Sequence, residues 1–246
     1  MVQHSQKRII LKLSGEALIG DQSYGINYQA CHNIGKLIEK LAGHEIQIGV
    51  VIGGGNIFRG RTAADFGFER TPADHIGMLA TCINGLALHQ VLITLGLKTR
   101  VMSSRNVDGI IEHFNWHQAH LALEKGVVMI FVGGTGNPYF TTDTAAALRA
   151  AEMKADMLVK ATTVDGVYDK DPRLNSDAKR YDRITYEEVL RLDLRVMDSA
   201  AIALCRDNHI EIRVVPVYDE EAILNAIVHR RGGTRVTSGE DSHGIP

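Results

Sequence analysis

The chain has little that would support a disulfide-stapled or secreted fold. Its 246 residues include only three cysteines, which are widely separated and form no Cys-x-x-Cys pair: Cys31, Cys82 and Cys205. An odd number of unpaired cysteines is typical of buried thiols in a reducing compartment. The residues after Met1 are polar and basic, and no apolar stretch of the signal-peptide type follows them. We therefore expect a cytoplasmic protein.

Charge of one sign and long apolar runs are also missing. The chain has 27 lysines and arginines against 29 acidic residues, for a formal net charge of -2. This balance gives no electrostatic basis for binding nucleic acid or an anionic membrane. No apolar stretch reaches the roughly 18 residues of a membrane helix. We expect neither nucleic acid nor a membrane as a partner, so any anion site must be local.

Several well-known motifs are absent from the sequence. It contains no G-x-x-x-x-G-K-[ST] loop, no G-x-G-x-x-G fingerprint, no H-E-x-x-H pair and no G-x-S-x-G elbow. These absences argue against a Walker A nucleotide site, a Rossmann dinucleotide site, a zinc protease site and a serine hydrolase site. The histidines show no paired-ligand spacing, so we assign no protein-held metal site.

What the chain does have is an alternation of apolar strands and helical patterns. The predicted strands are Arg8–Leu13, Gln47–Ile52, Lys98–Met102, Val127–Val132, Met157–Lys160 and Ile212–Val217. The predicted helices are Tyr28–Leu41, Asp74–Leu95, Trp116–Glu124, Thr144–Lys154, Ser199–His209 and Glu220–His229. Such alternation indicates an α/β three-layer sandwich, a mostly parallel central sheet with helices on both faces.

No proline- or serine-rich linker divides the chain. We therefore predict one domain over residues 1–236, with a softer division near Val159 into lobes of about 1–158 and 159–236. The polar segment 165–183 is interpreted as a hairpin or a lid over the sheet. Residues 237–246 are polar and are predicted to form a disordered tail.

Three predicted strands end in glycine-bearing segments, which together favour one phosphate-rich site. Lys12 precedes Ser14-Gly15, Arg59 follows the Gly53-Gly54-Gly55 triplet, and Thr141-Thr142-Asp143 opens a helix after Gly133, Gly134 and Gly136. Glycines permit close backbone approach, and helix N-termini bind anions. Simpler interpretations stay open: a carboxylate partner for Lys12, a surface position for Arg59, and an N-cap role for Thr142 or Asp143.

Aromatic residues accompany two of these segments. Tyr139 and Phe140 lie beside the hydroxyls of Thr141 and Thr142, a combination suited to a nucleobase and its sugar. Lys160 ends an apolar strand as Lys12 does, and Tyr168 and Asp171 follow in a loop where they could cover a purine ring and bind its ribose. The alternative for this second segment is a plain hairpin turn at Asp165-Gly166.

The predicted helix 74–95 is apolar on most sides. A helix of this kind is buried all round. The sequence leaves two explanations open: a subunit interface, or an internal core helix.

Five segments together resemble the uridylate kinases, a branch of the amino acid kinase family. They are Lys12–Ala17, Val51–Gly60, Asp74–Thr81, Thr135–Asp143 and Lys160–Pro172, and the match runs in order from about Arg8 to Val236. Lysine-glycine and triple-glycine signals alone fit the wider family, including acetylglutamate, glutamate and carbamate kinases. The pairing of Asp74-His75-x-Gly77-Met78 with Thr135–Asp143 is more specific to the uridylate branch.

The resemblance implies transfer of the ATP γ-phosphoryl group to UMP, giving UDP and ADP with Mg²⁺ in pyrimidine biosynthesis. The residues implied for ATP are Lys12, Leu13, Ser14, Gly15, Gly55, Arg59, Thr162, Tyr168 and Asp171. Those implied for UMP are Gly54, Asp74, Thr135, Gly136, Asn137, Pro138, Tyr139, Phe140, Thr141 and Thr142. The lobe 1–158 would be the acceptor side and 159–236 the ATP side.

The resemblance also implies an allosteric homohexamer built from dimers, with GTP as activator and UTP as inhibitor. The segment matching the region linked to GTP activation is Gly20, Asp21, Gln22, Ser23, Tyr24 and Gly25. For catalysis, our hypothesis is that Lys12 and Arg59 neutralise the transferring group while Asp143 orients the cations. Two rivals remain: another small-molecule kinase of this fold, and a non-catalytic nucleotide-binding protein such as a molybdate-storage protein.

Overall fold

Within residues 7–58, 67–194 and 196–239, which the computed structural model describes, the chain forms eleven strands and seven α-helices. The strands are β1 Arg8–Leu13, β2 Gln47–Ile52, β3 Thr99–Ser103, β4 Glu112–His113, β5 Val128–Val132, β6 Met157–Thr162, β7 Val167–Tyr168, β8 Arg180–Tyr181, β9 Arg183–Thr185, β10 Glu211–Pro216 and β11 Thr234–Thr237. The helices are α1 Tyr28–Gly43, α2 Arg70–Thr94, α3 Trp116–Glu124, α4 Thr142–Glu152, α5 Tyr186–Arg191, α6 Ser199–Asp207 and α7 Glu220–Val228.

Nine strands form one sheet in the order β4-β3-β5-β2-β1-β6-β10-β11-β9. Every pairing in it is parallel except that of β10 with β11. Since β1 lies between β2 and β6, chain segments from both predicted lobes meet at the centre of the sheet. The prediction of a mostly parallel central sheet is confirmed, and the division into two lobes stays a prediction.

The sheet is buried on both faces, which explains why its central strands are apolar throughout. On one face, Ile9 and Leu11 of β1 pack in a core with α1, α2 and α7. On the other, Ile10 of the same strand packs in a core with α3, α4, α5 and α6. We call these the α1 face and the α4 face. Helices therefore cover both faces, as the strand–helix alternation predicts.

Several boundaries differ from those predicted. Helix α2 begins at Arg70, four residues before the predicted start at Asp74. The predicted tail begins at Thr237, but this residue ends β11, which pairs with β10 and β9. Residues 240–246 lie outside the described part of the chain, so disorder there stays a prediction. The segment 165–183 contains the β7–β8 antiparallel hairpin, in line with the hairpin interpretation.

Helix α2 is the exception to the expectation that no stretch has the length and apolarity of a membrane helix. Among the described helices it alone passes such a test by length and composition. Half of its apolar window is buried inside the protein, and core helices of soluble proteins pass the same test. Several of its apolar side chains are nevertheless exposed: Ile76, Leu79, Ile83 and Ile93.

Candidate active site

Two lysines lie side by side near the carboxyl ends of the central strands. The register of the parallel strands β1 and β6 pairs Lys12 directly with Lys160. Paired residues on neighbouring strands point to the same side of a sheet, here the α4 face. Asp143, in the first turn of α4, lies between them: its Oδ1 is 2.8 Å from the Lys12 Nζ and its Oδ2 is 2.8 Å from the Lys160 Nζ.

The two ammonium groups of this cluster control the ionisation of Asp143. Burial by itself raises the pKa of Asp143, but the ammonium groups of Lys12 and Lys160 outweigh burial and lower it. Burial lowers the pKa of Lys160, and the carboxylate of Asp143 opposes that effect. A carboxylate partner for Lys12 is therefore present, as the simpler interpretation expected. The charge of Asp198 also acts to raise the pKa of Lys160, so two carboxylates act on the two ammonium groups of this cluster.

Asp198 joins the N-termini of two helices beside this cluster. As the N-cap of α6 it accepts a hydrogen bond from the Ala201 N–H at 2.8 Å. It also accepts from the Thr144 hydroxyl at 2.8 Å and from the Thr141 hydroxyl, both near the start of α4. No local pattern in the sequence marks this residue, because its α4 partners are more than 50 positions away.

The glycines at the ends of β1 and β2 bring two backbone segments into direct contact. A Cβ atom added to Gly15 would lie 2.4 Å from Asn56 Oδ1 and 2.8 Å from the Gly53 carbonyl oxygen. A Cβ added to Gly54 would lie 2.8 Å from the Cβ of Ala80 in α2. Larger residues do not fit at either position without movement. The glycines thus permit close packing around the site, and Gly55 lines a cavity there.

Two buried asparagines fix the position of the triple-glycine loop. Asn84, in α2, donates to the Gly53 carbonyl at 2.7 Å and to Asn56 Oδ1 at 2.6 Å. Asn56 donates in turn to Asn84 Oδ1 at 2.9 Å and to the Gly25 carbonyl at 2.8 Å. We call this pair the Asn56–Asn84 bridge. It connects α2, the loop after β2 and the end of the segment 20–25.

Two cavities meet at Thr141 and Thr142, which line both. The larger, of about 780 Å³, contains Lys12, Asp143 and Lys160 and is closed by side chains of α5, α6 and the segment between them. The smaller, of about 210 Å³, is lined by residues of the triple-glycine loop, α2 and the start of α4, among them Gly54, Gly55, Phe58, Arg70, Asp74, Met78, Thr81 and Phe140. Their shared wall lies at the N-terminus of α4, where an anion is favoured.

Asp74 holds the loop that follows β5. Its Oδ2 accepts a hydrogen bond from the Tyr139 N–H at 2.7 Å, and Arg70 Nε lies 2.7 Å from the same oxygen. Tyr139 has a φ of 73°, a left-handed conformation that costs a non-glycine residue free energy and is found most often at functional sites. The side chain of Phe140 is half-exposed and lines the smaller cavity. Arg70 was not predicted, although its i, i+4 spacing from Asp74 is a usable signal.

The remaining predicted residues lie around the cavities or away from them. Within the described part of the chain, the lining of neither cavity includes Thr162, Tyr168 or Asp171. The Tyr168 hydroxyl donates to Asp165, and Asp171 pairs with Arg173. Residues 135–139 form the loop beside the smaller cavity without lining it. Arg59 lies outside the described residues.

The sequence itself decides the family of the chain. The model of the amino acid kinase family matches residues 7–216. This chain belongs to the amino acid kinase family. As a member of that family it is similar to the uridylate kinase of Protochlamydia amoebophila, with 54% identity over 96% of this chain and 95% of the relative. It is 49% identical to the uridylate kinase of Hyphomonas neptunium over 94% of this chain and 92% of the relative.

Solved structures agree with this assignment to the amino acid kinase family. The UMP kinase of Bacillus anthracis superposes with a TM-score of 0.92 at 36% identity, covering 95% of this chain and 97% of that one. The UMP kinase of Ureaplasma parvum gives a TM-score of 0.90 at 39% identity, covering 95% of this chain and 100% of that one. The resemblance found in the sequence motifs thus extends over nearly the whole fold.

Proposed function

We infer that this chain is a uridylate kinase, which transfers the γ-phosphoryl group of ATP to UMP and releases UDP and ADP. The observation that carries this conclusion is the pair of cavities joined at Thr141 and Thr142, with Lys12 and Lys160 in the larger of the two. A kinase that binds two phosphate-bearing substrates needs two adjoining cavities and cations beside the phosphates. Relatives named uridylate kinase at about half identity over nearly the full length support the catalytic function and not the storage-protein alternative.

Lys12 and Lys160 supply the chemistry that phosphoryl transfer needs most. Its transition state is loose, so catalysis consists of positioning the two anions and neutralising their charge. No general base is required, because the attacking phosphate oxygen of UMP is already ionised. Asp143 holds both ammonium groups 2.8 Å from its carboxylate oxygens and so fixes their direction. We assign Arg59 the same neutralising role, from its place in the sequence after the triple-glycine loop.

We propose that the smaller cavity receives UMP. Gly54, Asp74, Phe140, Thr141 and Thr142 line it, and the ring of Phe140 offers an exposed face for the base. The loop of Thr135, Gly136, Asn137, Pro138 and Tyr139, held by Asp74, would complete the contacts.

We propose that the larger cavity receives the phosphates of ATP. Lys12 lines it directly, while Leu13, Ser14 and Gly15 follow along the chain and Gly55 lies at the adjoining wall. Thr162 ends β6 next to Lys160, and Tyr168 and Asp171 belong to the hairpin segment beyond it. In the proposal these three residues contact the purine and ribose.

The residues of the larger cavity also fit Mg²⁺. Asp143 and Asp198 supply two carboxylates to the lining of this cavity. Mg²⁺ is usually held by one or two carboxylates together with substrate phosphates and water. Mg²⁺ when bound neutralises and orients phosphate oxygens. In the proposal Asp143 and Asp198 keep the cation at the phosphate end of the cavity.

We further propose a cytoplasmic homohexamer built from dimers, activated by GTP and inhibited by UTP. The exposed apolar side chains of α2 favour burial against a second copy. The segment Gly20–Gly25 is the proposed site of GTP action. The Gly25 carbonyl accepts a hydrogen bond from the Asn56 side chain, and the Gly25 N–H donates to the Asn56 carbonyl. A displacement of this segment would therefore move the triple-glycine loop.

The experiment that tests this function is ADP release from the purified protein with Mg-ATP. UMP, CMP, dUMP, acetylglutamate and no acceptor are compared in parallel. We expect turnover with UMP and none with acetylglutamate. Turnover with acetylglutamate would favour another kinase of this fold, and binding of UMP without ADP release would favour a non-catalytic protein.

A further inference from the structure

A buried arginine in the last turn of α4 has no role in the site described so far. Arg149 is 4% exposed, although the other buried positions of this helix are mostly alanines. Burying a charged group costs free energy unless the group is paired and hydrogen-bonded. The contacts of Arg149 therefore indicate what its charge is used for.

Packing and an ion pair account for only part of the guanidinium group. The Cζ atom of Arg149 lies 3.5 Å from the centre of the Phe114 ring, so one face of the group stacks on an aromatic side chain. Nη1 donates to Glu152, three residues further along α4. Nη2 is directed away from both partners and donates to the Ser104 Oγ at 2.7 Å.

Ser104 extends this hydrogen bond to the loop after β5. Its Oγ donates to the Gly134 carbonyl oxygen at 2.7 Å. Because an arginine side chain has donors and no acceptor, the Ser104 hydroxyl accepts from Arg149 and directs its own hydrogen to Gly134. A charged donor also strengthens the next bond in such a chain. We call these two bonds the Arg149–Ser104 relay.

The sheet fixes the backbone of Ser104. This residue follows β3, and its N–H donates to the Val132 carbonyl at 3.0 Å, which continues the pairing of β3 with β5. A Cβ atom added to Gly136 would lie 3.1 Å from the Ser104 carbonyl oxygen. The loop after β5 thus lies directly against Ser104, which can serve as a rigid anchor for it.

The start of this loop depends on such anchors. Gly133 and Gly134 have φ values of 76° and 59°, a left-handed conformation that suits glycine, and glycine loses the most conformational freedom when it is ordered. The Gly133 N–H donates to Thr81 Oγ1 of α2 at 2.8 Å. The Gly134 carbonyl accepts from Ser104. Successive residues of the turn are therefore held from two sides, by α2 and by the relay.

The anchored turn belongs to the smaller cavity. Gly134 and Thr81 line that cavity, and the loop residues 135–139 follow directly. Within the described part of the chain, neither Arg149 nor Ser104 lines either of the two cavities. An influence of Arg149 on a ligand there would pass through Ser104 and the turn.

We propose that Arg149 is a positioning residue for the acceptor nucleotide, and that it acts through Ser104 on the Gly134 turn of the smaller cavity. This inference rests on the proposed function, in which that cavity receives UMP. Loss of the relay frees the turn to adopt other backbone conformations, which weakens UMP binding and leaves ATP binding in the larger cavity unchanged. A purely structural arginine would not separate the two substrates in this way.

Steady-state kinetics of ADP release, with UMP and ATP varied separately, test the relay. Ser104→Ala removes only the hydroxyl group. Arg149→Met keeps a long unbranched side chain, and the Glu152 side chain, which is 32% exposed, can then be solvated by water. We expect each variant to raise the KM for UMP about fivefold and to change the KM for ATP less than about twofold. Because both changes break one chain of bonds, the double variant should raise the KM for UMP no further than the larger single change.

The matched control is Tyr186→Phe, which removes another buried hydroxyl-to-carbonyl hydrogen bond, the one to Ile210, from a residue that lines neither cavity. It should leave the KM for UMP unchanged. An unchanged KM for UMP in Ser104→Ala, equal increases for UMP and ATP, or multiplied effects in the double variant would overturn the proposal.

If Arg149→Met does not fold, the ratio of the two KM changes in Ser104→Ala decides by the same criterion. An unaltered protein that turns over UMP while Ser104→Ala behaves like it loses the positioning role alone. Absence of UMP turnover in the unaltered protein would overturn the proposed function and this inference together.

Discussion

Lys12 is the charged side chain of the larger cavity whose removal is easiest to interpret. In Lys12→Ala, Asp143 keeps its 2.8 Å contact with Lys160, so the fold should survive. An electrostatic contact of this kind is worth roughly 3 kcal/mol in the transition state, about two decades in rate. We expect kcat with UMP to fall by about that factor, measured by ADP release at saturating substrates.

Lys36→Ala is the control for this change, because Lys36 pairs with Glu39 on α1 and lines neither cavity. Its kcat should match that of the unaltered protein. A Lys12→Ala protein with near-normal kcat would contradict the role given to the lysine cluster.

The lowered pKa of Asp143 gives a prediction about stability in acid. A carboxyl group whose pKa is lowered by folding stabilises the native state above its unfolded value of 3.8, and that contribution is lost as the pH falls towards the folded value. Asp143→Asn leaves two buried ammonium groups unpaired and should cost about 3 kcal/mol at pH 7. We expect the difference in unfolding free energy between the two proteins to shrink below about pH 4.

Urea denaturation of both proteins at pH 7, 5, 4 and 3 measures this difference. A gap that stays constant down to pH 3 would mean that Asp143 is not held ionised by the lysines. Asp177→Asn, on an exposed carboxylate, is the comparison for general acid effects.

The sequence predicted one phosphate site containing Lys12 and Asp143, but it did not predict that Lys12 and Lys160 are direct neighbours. Lys12 and Lys160 were recognisable because each interrupts an apolar strand near its end. Their direct pairing depends on the β1–β6 register, which joins segments about 150 residues apart and leaves no local pattern. Asp198 shows the same limit: as a local N-cap it is ordinary, and its bonds to the start of α4 come from tertiary packing.

Helix α2 connects the surface of the molecule to the phosphate end of the site through the Asn56–Asn84 bridge. Asn84→Ala removes the donor to the Gly53 carbonyl and to the buried Oδ1 of Asn56. A buried polar group left unsatisfied costs about 1–3 kcal/mol. We expect a loss of stability in that range by urea denaturation, together with a raised KM for ATP because the triple-glycine loop loses its support.

Gln90→Ala, at a polar position of the same helix outside this bridge, is the matched control and should change neither quantity much. If Asn84→Ala lowered stability while KM stayed unchanged, the bridge would be structural only and would not position the loop.

Among the elements, long apolar strands were predictable and short ones were not. The six predicted strands all exist within one or two residues of their predicted ends, because burial on both faces imposes a continuous apolar run. Strands β4 and β9 have two and three residues, too few for a period to show. Helix α5 has only six residues, and its capping box of Thr185 and Glu188 was the sole usable signal.

For the molecule as a whole, the sheet divides its charged groups between two faces. The α4 face carries the lysine cluster at the carboxyl ends of the central strands, the usual place for ligands in open parallel sheets. The α1 face carries α2, whose outer side exposes Ile76, Leu79, Ile83 and Ile93. The Asn56–Asn84 bridge lies on the inner side of the same helix. Association of subunits through α2 would therefore affect the position of the triple-glycine loop.

This arrangement predicts that α2 is covered by a second copy of the chain. Leu79 and Ile83 are each more than half exposed and lie on one side of the helix, so contact with a partner would bury them.

Changing both to glutamate places charges in that contact and should dissociate the assembly without disturbing the core. Sedimentation velocity at micromolar concentration should show an oligomer for the unaltered protein and smaller species for the double variant. The paired change of Glu39 and Lys40 to alanine, on α1, is the control for substitution of surface residues on another helix. A monomer for the unaltered protein would leave the apolar side of α2 without the proposed partner and contradict the hexamer.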